Sequence, residues 1–136
     1  MAQVAPLSTE AALDDVLNMV AESKSSDIGP ILKRLSAQGV QPVALNIAAT
    51  RHFRALHGAA THPGGIQSGL SAQRPPVFGP RRDRMARQAS AWGVHKCEAA
   101  LSLLLDTDLS LRSSQKAPAM AVVERTLIRL AMMGAR

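Results

Sequence analysis

The chain has 136 residues, a formal net charge of +6, 46% hydrophobic residues, 19% charged residues and only 2% aromatic residues. This length predicts about one domain, and the apolar fraction excludes wholesale disorder. An aliphatic core with few aromatic residues favours helices over a β-sandwich. A single cysteine excludes an intrachain disulfide. The absence of a secretory signal pattern and of a long apolar run predicts a soluble, cytoplasmic protein with no membrane contact.

The positive charge is concentrated in the middle of the sequence. Residues 1–50 carry three basic and five acidic side chains, whereas residues 51–92 carry seven arginines and one aspartate. Residues 93–136 carry six basic and four acidic side chains. Such asymmetry indicates an anionic partner without indicating a fold.

Three helices are predicted in the first 60 residues. The first has one apolar face and a cap at Ser8 or Thr9, and the second is capped by Asp27. The third runs from about Pro42 to about Ala60, because proline suits a first helical turn. The positions expected to be buried are Leu13, Val16, Leu17 and Val20 in the first helix, Ile28, Ile31, Leu32 and Leu35 in the second, and Leu45, Ala49, Phe53 and Leu56 in the third.

Residues 61–80 are rich in glycine and proline, and they predict an internal linker with at most one helical turn. Helix resumes near Pro80, ends at Gly93, runs again from about Val94 to Ser113, and opens a last time at Pro118. The expected apolar positions are Val94, Cys97, Leu101, Leu104, Leu105 and Leu111, followed by Val123, Leu127, Leu130 and Ala131. Because no segment alternates with period two, the fold is predicted to be an all-α bundle of about six helices with no sheet.

The motifs predict no catalytic residue, no cofactor and no metal. No GxxxxGK[ST] motif occurs, and the glycines at 63–70 lack both the lysine and a preceding strand. His52 and His57 point about 140° apart on a helix, so they cannot ligate one metal from one face. Cys97 is best interpreted as a small buried hydrophobic residue.

Three further features favour structural roles over chemistry. Asp106 and Asp108 are two apart on a helix and point in different directions. Asp108 and Arg112 are four apart and predict a helical ion pair, worth about 0.3–0.5 kcal/mol if exposed. Trp92, beside Gly93, could stack on a nucleic-acid base or anchor packing at a helix end, and the lack of other aromatic residues favours the anchor.

Residues 73–92, QRPPVFGPRRDRMARQASAW, carry four arginines within seven positions. Arg81, Arg84 and Arg87 share a broad side of a helix, whereas Arg82 points elsewhere. A DNA-reading helix would also need Asn or Gln readers and a preceding helix, but a Pro/Gly-rich loop precedes this one. Composition alone leaves contact with DNA open.

Three segments resemble, in order, the C-terminal part of the delta subunit of bacterial DNA polymerase III. They are RPPVFGPRRDRMARQASAW, CEAALSLLLDTDLSLRSS and VVERTLIRLA. ALDDVLNMVAESKSSDIGPILKRLSAQGVQPVALNIAATRHF is similar to the start of that region. The resemblance runs from about residue 11 to 133, and the ordered set of segments carries it. The matching positions are Arg51-His52-Phe53, Pro75-Pro76-Val77-Phe78, Arg81-Arg82, Trp92, Leu103 to Asp108 with Arg112, and Val123-Glu124-Arg125. The sequence departs from the family at Arg112, often lysine there, and in its glycine-rich link at 61–73.

The resemblance implies that residues 1–136 form a single helical domain like the oligomerisation (collar) domain of a clamp-loader subunit, without the family's AAA+-like and lid domains. Its partners would be the ATPase and delta-prime subunits, with only indirect association with the sliding clamp and DNA. The chain itself would have no catalytic activity, although the parent holoenzyme is a DNA-directed DNA polymerase. When isolated, such a domain is expected to self-associate through apolar patches.

The arginines are the candidate contact residues. Arg51, Arg54, Arg81, Arg84 and Arg87 are expected to contact another subunit, an anionic partner or, in the 73–92 segment, acidic residues of this chain. Val77 and Phe78 are expected to pack beneath that segment. Structural roles are expected for Phe53, Pro76, Phe78, Trp92, Asp108 and Arg112. The alternative interpretation is a free-standing basic, all-helical domain that binds nucleic acid through the same five arginines.

Overall fold

The computed structural model describes residues 5–113 and 117–135, with side chains described from residue 11 onward. Across this part of the chain the regular structure is helical and no strand occurs. The helices are α1 (Ala5–Ala21), α2 (Ser25–Ala37), α3 (Pro42–Thr61), α4 (Ile66–Ser71), α5 (Gly79–Arg112) and α6 (Ala119–Gly134). The predicted all-α bundle is therefore confirmed.

The first two helices begin earlier than their predicted caps. Because α1 begins at Ala5, Ser8 and Thr9 lie inside the helix and do not cap it, while their side chains fall outside the described residues. Asp27 likewise does not cap α2 but lies in its first turn, where a carboxylate stabilises the positive end of the helix. Pro42 occupies the first turn of α3, as predicted.

Helix α5 is bent at Gly93. This residue has φ of 73° and ψ of 174°, so the helical path is interrupted between two segments of one 34-residue element. Glycine reaches a positive φ at little steric cost because it has no Cβ. The predicted break at Gly93 is confirmed, and it allows the two segments of α5 to pack in different directions.

The segment predicted to be a linker, residues 61–80, contains α4, which packs against both α3 and α5. Leu70 is fully buried, and its carbonyl accepts a hydrogen bond of 3.1 Å from the backbone N–H of Val77. A Cβ at Gly69 would lie only 2.7 Å from Cα of Ala59, so α4 approaches the backbone of α3 closely. At these positions the segment belongs to the packed bundle.

Helix α3 lies at the centre of the bundle, in contact with α1, α4, α5 and α6. Phe53 on α3 and Trp92 on α5 meet edge to face, with ring centroids 4.7 Å apart and planes at 68°. Such a ring pair adds roughly 0.5–1.5 kcal/mol beyond the area it buries. The largest of the remaining fully buried side chains are aliphatic: Val16, Ile28, Leu32, Leu35, Leu45, Leu56, Leu70, Met85, Leu104, Leu127 and Leu130.

Candidate interaction surface

A polar network joins α1, α3 and α5 beside the core. Gln88 Nε2 donates hydrogen bonds of 2.8 Å to Asn18 Oδ1 and of 2.8 Å to Glu22 Oε2. An ionised carboxylate only accepts, so the amide nitrogen of Gln88 must face Glu22 and its oxygen must face His52. His52 Nε2 lies 2.7 Å from that oxygen and therefore carries the proton that it donates.

Arg84 completes this network at the surface. Its Nε and Nη2 donate to Glu22 Oε2 and Oε1 over 2.6 and 2.9 Å. These hydrogen bonds are the main reason that the pKa of Glu22 falls to about 2. The same contact raises the pKa of Arg84. Arg84 was expected to contact another subunit, an anionic partner or an acidic residue of this chain. In the structure it contacts an acidic residue of this chain.

The remaining arginines of this segment differ in how they are held. Arg82 Nη1 donates a hydrogen bond of 3.2 Å to Ser71 Oγ, which ties the start of α5 to α4. Arg81 and Arg87 are exposed and form no ion pair with any described residue. The opening turns of α5 therefore leave two of their four guanidinium groups unpaired within the described part of the chain.

Of the residues expected to be structural near this segment, Phe78 differs from its prediction. Val77 is buried, but Phe78 is 75% exposed, and Pro76 is exposed as well. Phe78 has extended backbone angles, and successive side chains of an extended segment point to opposite sides. The expectation that both Val77 and Phe78 pack beneath the arginines is therefore wrong for Phe78.

Trp92 lies in the core at the end of the first segment of α5. It is 4% exposed, and its indole Nε1 donates a hydrogen bond of 2.9 Å to the carbonyl of Ala21 at the end of α1. Its ring packs against Phe53, which is fully buried. A ring held in this way anchors three helices and has no face available for stacking on a base.

A groove of about 640 Å³ lies between α3 and the second segment of α5. The two helices run antiparallel, because Asn46 near the start of α3 donates to the carbonyl of Leu104 while His57 near its end contacts Glu98. Residues that line the groove include Ile47, Thr50, Arg51, Arg54, Leu101 and Leu105.

Two large apolar side chains that line this groove, Ile47 and Leu105, are exposed, and each has an exposed apolar neighbour four residues away on its own helix. Val43 and Ile47 on α3 are 43% and 44% exposed, and Leu105 and Leu109 on α5 are 58% and 57% exposed. Each pair is spaced four residues apart and so lies on one helix face. We call these four residues the exposed apolar row.

Sequence periodicity placed Leu105 among the buried residues, and that prediction is wrong. Leu104 is fully buried, and the next residue along a helix points about 100° away, which brings Leu105 to the rim of the groove. The sequence pattern gave no prediction for Val43, Ile47 or Leu109. The signal that could have identified them is a pair of apolar residues spaced four apart on a helix whose buried apolar face is already complete.

The polar residue at the inner side of the groove is incompletely satisfied. Asn46 is 2% exposed, and its Nδ2 donates 3.2 Å to the carbonyl of Leu104. Its buried Oδ1 has no hydrogen-bond donor among the described residues. A buried acceptor without a donor costs about 1–3 kcal/mol.

Both acidic side chains along the groove have partners. Arg112 Nε donates 3.0 Å to Asp108, four residues earlier on the same helix, in the geometry predicted for that pair. His57 Nε2 donates 3.1 Å to Glu98 across the two helices. In contrast, Arg51 and Arg54 are exposed and form no ion pair within the described ranges. The uncompensated charge of the groove is therefore positive.

The described residues contain no group of three or more His, Cys, Asp or Glu side chains able to hold a metal ion. Cys97 is buried, and that burial raises the pKa of its thiol to about 11, so it is a thiol at neutral pH. Across the helices described, none is both long and apolar enough to span a membrane.

Together, the six described helices form an all-α bundle whose fold is similar to part of a clamp-loader protein. The bundle is similar to the solved structure of the Bacillus subtilis DNA clamp loader delta protein, with a TM-score of 0.73 and 17% sequence identity. The match covers 91% of this chain and 37% of that protein, so this chain spans little more than a third of its length. No family model matches the sequence, and no curated protein matches it. At this identity the likeness establishes the fold.

Proposed function

We propose that this chain is the oligomerisation (collar) module of a clamp-loader delta subunit. In that role it helps to assemble the complex that loads the sliding clamp onto DNA in bacterial chromosome replication. It acts in the cytoplasm, binds the ATPase and delta-prime subunits directly, and meets the clamp and DNA only through them. The module has no catalytic activity of its own.

The observation that carries this proposal is the likeness in fold to a DNA clamp loader delta protein over 91% of the chain. The ordered resemblance in sequence to the C-terminal part of that family supports the same assignment. The exposed apolar row supports it independently, because large apolar side chains that cluster on a surface are typical of protein interfaces.

The test is reconstitution. The chain is mixed with the ATPase and delta-prime subunits of the same organism, and size-exclusion chromatography with light scattering measures the mass of the products at low and moderate salt. We expect a stoichiometric complex that persists at moderate salt, because burial of apolar surface is not screened by ions. Elution of the chain apart from these subunits at both salt concentrations would contradict the proposal.

Nucleic-acid binding is the second candidate, and the unpaired arginines favour it. Arg51, Arg54, Arg81 and Arg87 are exposed and without an ion pair in the described structure. Binding through phosphates would weaken log-linearly with salt concentration. Tight, salt-sensitive retention of duplex or single-stranded DNA, without a complex with the loader subunits, would establish this candidate instead.

A further inference from the structure

The groove between α3 and α5 has the dimensions of a site for one helix. Ile47, Arg51 and Arg54 lie on one face of α3, at intervals of four and three residues, and Val43 extends that face by a further turn. From Val43 to Arg54 the face is about 17 Å long at 1.5 Å per residue, which matches about three turns of a partner helix. The opposite wall, on α5, runs antiparallel to it.

The apolar character of the site comes from the exposed apolar row. Its four side chains are between 43% and 58% exposed, and two of them, Ile47 and Leu105, directly follow a buried residue of their own helix. An amphipathic helix laid along a groove buries such side chains with anchors spaced three and four residues apart. The row therefore favours a helical partner with an apolar stripe.

The charge of the site specifies what flanks that stripe. Asp108 is ion-paired with Arg112, and Glu98 accepts a hydrogen bond from His57, so both carboxylates of the groove have partners within this chain. Arg51 and Arg54 are left without an ion pair among the described residues. Because opposite charges across an interface speed association and suppress wrong partners, the complementary flank is acidic.

We propose that this groove binds an amphipathic helix of another clamp-loader subunit, whose apolar stripe packs on the exposed apolar row and whose acidic flank faces Arg51 and Arg54. The inference rests on the proposed function and adds to it the surface and the chemistry of the partner.

The experiment compares two groove variants with a charge-matched control. Arg51→Glu with Arg54→Glu reverses the flank, and Leu105→Glu places a charge in the apolar row. Arg34→Glu with Arg129→Glu makes the same change in net charge on α2 and α6, away from the groove and at exposed positions. All substituted side chains are exposed, so each variant is expected to fold, and circular dichroism with thermal melting checks this.

Association with the complex of ATPase and delta-prime subunits is followed by stopped-flow fluorescence at several salt concentrations. The double reversal at Arg51 and Arg54 is expected to slow association about tenfold at low salt and to flatten its salt dependence, because a rim charge acts mainly on the association rate. Leu105→Glu is expected to speed dissociation at least about tenfold. The control variant is expected to keep wild-type rates within about twofold.

The outcomes separate this inference from the proposed function. If the wild-type chain forms no complex, both fail. If the wild-type chain binds and the groove variants bind equally well, the collar assignment stands and the groove proposal is overturned. Faster association of the double reversal would show a basic flank and overturn it too. A dimer of this chain that Leu105→Glu abolishes, without any effect on subunit binding, would identify a second copy as the occupant and likewise overturn it.

Discussion

Arg84 on α5 and Glu22, just beyond the end of α1, are joined by two hydrogen bonds of 2.6 and 2.9 Å across 62 residues of sequence. Gln88, one turn further along α5, donates to the same carboxylate and to Asn18. The arginine segment is thereby fixed to the first helix. From composition alone, Arg84 is a candidate contact for an external anion. In the structure it instead stabilises the packing of α5 on α1.

The Arg84–Glu22 contact predicts sensitivity to acid. The pKa of Glu22 lies near 2, below its ordinary value of 4.5, so its contribution to stability is complete above about pH 5 and is lost as the pH falls towards 2. Glu22→Gln removes the charge from this contact and should lower the free energy of unfolding at pH 7. The loss should be only about 1 kcal/mol, because the half-exposed arginine is screened by solvent. Urea unfolding between pH 2.5 and 7 measures this difference, which should shrink in acid. Asp83→Asn, at an exposed position on α5, is the control, and a difference that stays constant with pH would contradict the argument.

His52 predicts a second loss of stability nearer neutrality. Burial lowers the pKa of His52, so the folded state keeps a neutral ring while the unfolded state takes up a proton near pH 6.5. Stability should therefore fall as the pH drops from about 7 to 5, and His52→Asn should flatten this part of the curve. His95→Asn is the matched control, since the side chain of His95 is 99% exposed. If the stability of His52→Asn still falls fully between pH 7 and 5, another titratable group causes the loss.

Thr107 on α5 and Thr126 on α6 predict a strongly non-additive mutant cycle. Their hydroxyls lie 2.7 Å apart, and each is also within hydrogen-bond distance of a carbonyl one turn earlier in its own helix. Replacing one threonine with valine leaves the other buried hydroxyl with fewer partners and should cost about 1–2 kcal/mol. The double variant, Thr107→Val with Thr126→Val, should cost less than the sum of the two single variants. Additive changes in the free energy of unfolding by denaturant would show that the hydroxyls do not interact.

The two phenylalanines of the chain predict opposite outcomes for the same substitution. Phe53 is fully buried against Trp92, so Phe53→Ala should cost about 3–5 kcal/mol through lost burial and a residual cavity. Phe78 is 75% exposed, so Phe78→Ala should change stability by less than about 0.5 kcal/mol. Thermal and urea unfolding of both variants measure the contrast. Equal losses would mean that Phe78 packs in solution against part of the bundle.

The helical architecture could be predicted closely, because helix formation depends on neighbours three and four residues away. The buried stripes of α2 and α3 follow directly from that spacing, and Gly93 interrupts α5 where predicted. Apart from the helix starts, the errors lie where a single residue decides the direction of a side chain. Leu105 and Phe78 each follow a buried neighbour and point away from it, and composition does not distinguish the two directions.

The candidate surface was predicted less completely. Arg51 and Arg54 were singled out by their charge, but the exposed apolar row between α3 and α5 was not recognised. Val43 and Ile47 resemble core residues in composition, yet they are 43% and 44% exposed, because the helices that contact α3 leave these side chains uncovered. Whether an apolar residue is buried depends on which helix covers it, and the local pattern does not contain that information.

The sequence by itself determined that this protein is an aliphatic, all-helical bundle with a basic middle section, because helical periodicity, proline and glycine positions and charge are local properties of the chain. Only the tertiary structure decided which of its polar and charged side chains are paired between helices. Glu22 and Arg84 meet across 62 residues and His57 and Glu98 across 41, whereas Arg51 and Arg54 remain unpaired in the described structure. The physical reason is that an ion pair depends on distances in space, and packing of the helices brings distant residues within bonding range.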